Sequence, residues 1–193
     1  MRFIAYVVLL LSFFSSCLTD KKYDLYEFLS ICQHEFYLDY GIHLSDTLQE
    51  FEVQLIDEGH LSSSSNDSYK SLLAQLKKEI YFRTPLKKDN FNHDLLYKNP
   101  TELVYCAAET FTIDTSEFQM LPYYQLAENI SNTFITEESV AIQELFNFYL
   151  QLPKEEIQYP FVKENLLLLF YRWYFSSKYN RSIPINVDEL EGE

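Results

Sequence analysis

The sequence predicts an all-α protein, a single globular domain of about six or seven helices followed by a short extended C-terminal tail. Apolar residues recur at steps of three and four along most of the chain, which is the period of an amphipathic helix. A composition that is 47% hydrophobic and 17% aromatic is unlike that of a disordered chain. At 193 residues, the chain is long enough for one domain with a substantial core.

The first helix is predicted from Lys22 to Tyr40, and Gly41 stands where it should end. The residues expected to face the core are Leu25, Phe28, Leu29, Cys32, Phe36 and Tyr40. The residues expected elsewhere on the helix wheel are Glu27, Ser30 and Gln33.

The second helix is predicted from about Ser45 to Glu58, before Gly59. Thr47 and Glu50 have the spacing of a capping box. The apolar stripe of this helix consists of Leu48, Phe51 and Leu55.

A serine-rich tract, Leu61 to Asp67, is predicted to be a flexible loop that precedes a third helix from about Ser68 to Phe82. Three further helices are then predicted. They run from Pro100 to about Thr110, from about Leu121 to Ser131, and from a cap at Thr136 to Pro153. The last helix begins at Pro160 and is apolar around its whole circumference, so we expect it to be the most buried helix.

The N-terminus has the layout of a secretion signal, which we place at residues 1–16. Arg2 supplies a positive charge, and an apolar run from Phe3 to Leu11 follows that is too short to span a bilayer. Small residues then lead to Cys17.

The segment Phe14-Ser15-Ser16-Cys17 resembles the lipobox of bacterial lipoproteins, although Phe14 stands where Leu is usual. The resemblance implies that Cys17 is acylated and that residues 17–21 tether a helical domain, residues 22–180, to the cell envelope, with the outer membrane favoured over the inner. The alternative is ordinary cleavage after Ser15 or Ser16, which would leave Cys17 unmodified.

The net charge of −14 disfavours nucleic acid and anionic headgroups as partners. Attachment to a membrane would therefore depend on the acyl chains. Cys32 and Cys106 could form one disulfide in an oxidising compartment or remain buried thiols, and the sequence leaves both open.

No catalytic motif or phosphate-binding glycine loop is present, and we predict neither catalytic residues nor a cofactor. Glu35 and Asp39, four residues apart on the first helix, are the weak candidates for metal ligands, because they share one helix face. His34, His43 and His60 are near them in sequence. A solvated helix face with ordinary surface histidines is the favoured interpretation.

We therefore predict a membrane-anchored, non-enzymatic lipoprotein that binds another envelope protein as an accessory or scaffold. The alternatives are an envelope hydrolase that uses a metal or paired carboxylates, and a ligand- or peptide-binding lipoprotein with an aromatic groove. Candidate rings for such a groove are Tyr123, Tyr124 and the residues from Tyr171 to Phe175, although core filling is favoured for them.

The acidic C-terminal tail, residues 181–193, could add an edge strand to a partner, but packing along its own domain is favoured.

Overall fold

The computed structural model describes residues 21–79, 95, 102–125 and 138–178, and in these residues it contains helices and no β-strand. The labelled helices are α1 (residues 21–38), α2 (Leu44–Asp57), α3 (Asn66–Glu79), α4 (Leu103–Phe111), α5 (Glu138–Gln151) and α6 (Pro160–Lys178), with 3-10 helices at Thr115–Met120 and Lys154–Gln158. Residues 122–125 are also helical, within the helix predicted from about Leu121. The predicted all-α fold is confirmed.

The predicted signal peptide, Cys17 and the C-terminal tail lie outside the described residues, as does the predicted cap at Thr136. In the described ranges, no helix combines the length and the apolarity that crossing a membrane requires.

Two glycines end α1 and α2 in the same way. Gly41 has a φ of +73°, and its N–H donates to the carbonyl of Leu38 at 2.8 Å, while the N–H of Ile42 donates to that of Tyr37 at 3.0 Å. Gly59, with a φ of +76°, closes α2 with the equivalent pair of bonds. These are Schellman motifs, and the left-handed conformation at their centre explains why glycine occupies both positions.

The predicted capping box in α2 is wrong. The helix begins at Leu44 with His43 as its N-cap residue, so Thr47 lies inside the first turn, where its hydroxyl donates to the carbonyl of His43 at 2.9 Å. The serine tract is also more ordered than expected. The hydroxyl of Ser68 accepts the N–H of Ser62 at 2.9 Å, which ties the tract to the first turn of α3.

The last helix, α6, is buried on all sides as predicted. Its buried residues are Phe161, Val162, Leu166, Leu167, Leu168, Leu169, Phe170, Tyr171, Tyr174 and Phe175. It packs against α2 and the Lys154–Gln158 helix, while α3 packs against α5. The apolar stripe predicted for α2, Leu48, Phe51 and Leu55, points into the same core.

Two buried carboxylates connect the helices. Glu156, only 2% exposed, accepts hydrogen bonds from Lys22 and Tyr26 of α1. Glu52 of α2 accepts a hydrogen bond from Tyr69 of α3. It also forms an ion pair with Lys163 of α6, with Nζ of the lysine 2.8 Å from Oε2 of the glutamate. Burial, together with the adjacent carboxylate, raises the pKa of each tyrosine, so both hydroxyls remain donors.

Lys70 of α3 caps the C-terminal end of α5. Its ammonium donates to the carbonyls of Tyr149 and Leu150, each at 2.8 Å, and to that of Leu152. The last carbonyls of a helix have no partner within the helix, and the negative end of the helix dipole favours a cation. Burial lowers the pKa of Lys70.

A disulfide between Cys32 and Cys106 joins α1 to α4, with the two Cα atoms 6.1 Å apart. The rings of Phe28 and Phe111 stack beside it at a centroid distance of 4.0 Å. The structure therefore contains the bonded form of the two alternatives that the sequence left open.

Candidate functional site: a groove between α1 and α2

An open groove with a volume of about 320 Å³ runs along the C-terminal half of α1 and the first turn of α2. Helix α1 lines it with Ile31, His34, Glu35 and Leu38. The loop that follows and the start of α2 line it with Ile42, His43, Leu44, Ser45 and Asp46. We call this surface the α1–α2 groove.

The local sequence explains how the groove forms. Ile31, Glu35 and Leu38 are spaced by four and three residues, so they lie on one face of α1. The Schellman turn at Gly41 reverses the chain, and the buried Ile42 and Leu44 fix the turn to the core and form the floor.

The rim of the α1–α2 groove is apolar and exposed. Ile31 is 37% exposed and Leu38 is 52% exposed, although both are aliphatic residues on a helix that also contributes to the core. Single exposed apolar residues are ordinary, but these two lie on one helix face beside a concave surface. Exposed apolar side chains grouped at a concave surface are found at sites of macromolecular contact.

A polar cluster of His34, Ser45 and Glu164 closes one side of the groove. The Nε2 atom of His34 lies 2.8 Å from Glu164 Oε2, and the hydroxyl of Ser45 donates to Glu164 Oε1 at 2.6 Å. The Ser45 hydroxyl is also 3.2 Å from the same Nε2 atom. Glu164 belongs to α6 and is 8% exposed, so the cluster connects the groove to the central helix.

The pKa of His34 is raised, chiefly because the imidazolium donates a hydrogen bond to Glu164, while partial burial acts in the opposite direction. The carboxylate of Glu164 is thus satisfied by two donors from two different helices. Its hydrogen bonds position His34 and Ser45 at the surface of the groove.

The cluster contains the residue types of a serine hydrolase but not their arrangement. In a catalytic triad the acid binds Nδ1 of the histidine while the serine faces Nε2. Here Glu164 and Ser45 both contact Nε2, and the serine donates its proton to the carboxylate. The observed geometry therefore does not activate Ser45 as a nucleophile.

The structure separates the residues that sequence reasoning grouped as metal ligands. His34, Glu35 and His43 line the α1–α2 groove, whereas Asp39 is exposed at the end of α1 and His60 follows the other end of α2. Within the described ranges, no three histidine, cysteine, aspartate or glutamate residues converge to hold a metal ion.

The aromatic residues proposed for a ligand groove are mostly core residues. Tyr123 packs edge-to-face on Phe148 and Phe161, at centroid distances of 5.1 and 5.3 Å. Tyr171, Tyr174 and Phe175 are each at most 4% exposed. Core filling, the favoured interpretation of these rings, agrees with their positions.

Sequence reasoning missed Ser45 and Glu164 as partners of His34. Glu164 lies 130 residues from His34 along the chain, and a contact over that distance has no local sequence signal. A hint that Glu164 has a partner was its charge, because a charged residue in an otherwise apolar helix needs a partner when the helix is buried.

Comparison of the chain with protein-family models, curated proteins and solved structures finds no match.

Proposed function

We propose that this chain is an exported, lipid-anchored protein of the bacterial cell envelope that acts without catalysis, as an accessory or scaffold that binds another envelope protein through the α1–α2 groove. The observation that carries the binding role is the exposed aliphatic rim, Ile31 and Leu38, over a concave surface. The anchor rests on the signal-peptide layout and the lipobox-like segment that ends at Cys17.

The shape and lining of the groove support contact with a protein rather than enclosure of a small molecule. Small-molecule sites usually bury most of the ligand in a cleft of about 300 to 1,000 Å³, and this open groove lies at the lower end of that range. Side chains from the surface of a partner would cover Ile31 and Leu38, while the backbone of the partner stayed outside the groove.

The hydrolase alternative has no comparable support in the described residues. Its proposed ligands Glu35 and Asp39 are both exposed, and only Glu35 reaches the groove. The nearby Ser45 is hydrogen bonded in a way that does not activate it.

Site-specific photo-crosslinking in intact cells of the source organism tests the binding role. A photoreactive amino acid replaces Leu38 in one strain and Val53 in another. Val53 is a matched control, because it is an aliphatic residue of α2 with 50% exposure that does not line the groove. We expect one discrete adduct with an envelope protein from position 38 and none from position 53. Equal adducts from both positions, or none from position 38, would contradict the proposal.

A further inference from the structure

The charges around the α1–α2 groove indicate the chemistry of its partner. Glu35 and Asp46 line the groove, and among the residues that the structure describes neither a lysine nor an arginine does. Glu27 is exposed one turn before Ile31, so carboxylates and aliphatic side chains alternate along this face of α1.

We infer that the α1–α2 groove binds a cationic amphipathic helix, a segment of a partner protein that presents one or two aliphatic side chains flanked by lysine or arginine. This inference rests on the proposed interaction role of the groove and adds the class of partner. The aliphatic side chains cover Ile31 and Leu38, and the basic side chains meet the carboxylates of Glu35 and Asp46.

The geometry of α1 sets the spacing of this partner. Ile31 and Leu38 are seven residues apart, which separates them by about 10 Å along the helix axis. A partner helix with aliphatic residues at positions i and i+7, or i, i+3 and i+7, matches that separation. Basic residues on either side of the stripe then lie beside the carboxylates of Glu35 and Asp46.

Charge disfavours the other occupants of this surface. A second copy of the chain would bring Glu35 and Asp46 against the same two carboxylates, in a protein with a net charge of −14. Phosphates and anionic headgroups are repelled by the same groups. A basic partner gains from this field both in its rate of encounter and in its orientation.

The test measures binding of three fluorescent synthetic helical peptides to the full chain in neutral detergent, by fluorescence anisotropy, with detergent alone as the reference. The first peptide has a leucine stripe flanked by lysines, the second has the same leucines flanked by glutamates, and the third has the first peptide's composition in scrambled order. We expect the lysine peptide to bind at least about tenfold more tightly than either of the others, and more weakly as salt rises from about 0.1 to 1 M.

Two variants of equal charge locate the binding site. Glu35→Gln with Asp46→Asn removes two carboxylates from the groove, whereas Asp57→Asn with Asp67→Asn removes two exposed carboxylates that do not line it. We expect the groove variant to bind the lysine peptide about three- to tenfold more weakly, and the control variant to bind as the unaltered chain does.

Equal affinity for the lysine and glutamate peptides would overturn the inference, as would equal binding of the scrambled peptide. An equal loss in both variants would also overturn it, because it would indicate non-specific attraction to an acidic surface. If position 38 nevertheless gives a specific adduct, any of these results would refute only the inference of a cationic partner. The proposed interaction role of the groove would still be supported. If position 38 gives no adduct while the lysine peptide binds selectively, the groove has the inferred chemistry and the proposed envelope role is wrong.

Discussion

Removal of the disulfide between Cys32 and Cys106 should destabilise the fold by an amount that the loop length sets. A cross-link lowers the entropy of the unfolded chain, and the effect grows with the logarithm of the number of residues enclosed. For a sequence separation of 74 residues the chain-entropy relation gives about 4.4 kcal/mol at 25 °C. We therefore expect a loss of about 2 to 4 kcal/mol in the free energy of unfolding, in line with measured disulfides.

Urea unfolding followed by tryptophan fluorescence measures this loss. The chain has one tryptophan, Trp173, which packs edge-to-face on Phe146 at a centroid distance of 5.6 Å and so reports on the core. The comparison is between the oxidised chain, the reduced chain and the Cys32→Ala/Cys106→Ala variant. The reductant should leave the variant unchanged. A loss below about 1 kcal/mol in both the reduced chain and the variant would refute the loop-closure reasoning.

Three other predictions follow from single side chains. Lys70→Met removes the cation that caps α5, so we expect it to lower the free energy of unfolding by about 1 to 3 kcal/mol in urea denaturation. A stability equal to that of the unaltered chain would show that water replaces the ammonium. In an NMR titration, His34 should have a midpoint above pH 6.5. Glu164→Gln should bring this midpoint below pH 6.5, because burial alone lowers the pKa of His34. An unchanged midpoint in the variant would exclude the pairing of His34 with Glu164. Since folding raises the pKa of His34, its contribution to stability is complete below pH 6.5 and is lost as pH rises through the folded-state pKa. Cys17→Ser should release the protein from the membrane fraction, as judged by immunoblotting; unchanged retention in the pellet would rule out the lipid anchor.

The helices were predictable because local rules determine most of them. The glycines at positions 41 and 59 end α1 and α2 as predicted, and Pro160 begins α6. The stripe of Leu48, Phe51 and Leu55 is buried as the helical period requires. Helix boundaries were less predictable. The Thr115–Met120 helix was missed, because the next helix was predicted to begin only at about Leu121.

The faces of α1 show where the periodic argument fails. Ser30 and Gln33 are buried although they are polar, whereas Tyr40, assigned to the core face, is 42% exposed. Gln33 can be buried because its amide and that of Asn165 exchange hydrogen bonds, with Asn165 Nδ2 donating to Gln33 Oε1 at 3.1 Å. A polar side chain enters the core when a partner satisfies it, and the sequence of one helix does not show the partner.

The candidate site was only partly predictable for the same reason. His34 and Glu35 were identified as chemically interesting, and both line the groove. The sequence offered metal ligation only for Glu35 together with Asp39, and it contained no signal for the contact of His34 with Glu164. The exposure of Ile31 and Leu38 depends on which faces of α1 the other helices cover, and this is a property of the tertiary structure.

The central position of α6 has a consequence for the order in which the chain can fold. Side chains at 163, 164 and 165 of this helix satisfy polar partners in α1 and α2 that lie between 111 and 132 residues earlier. Contacts of such long range are slow to form, because closing a long loop costs chain entropy before the contact stabilises the fold. A chain that emerges from the N-terminus onward cannot complete its core until α6 has emerged, and until then α1 and α2 expose their apolar faces. We therefore expect a chain that ends before α6 to be prone to aggregation.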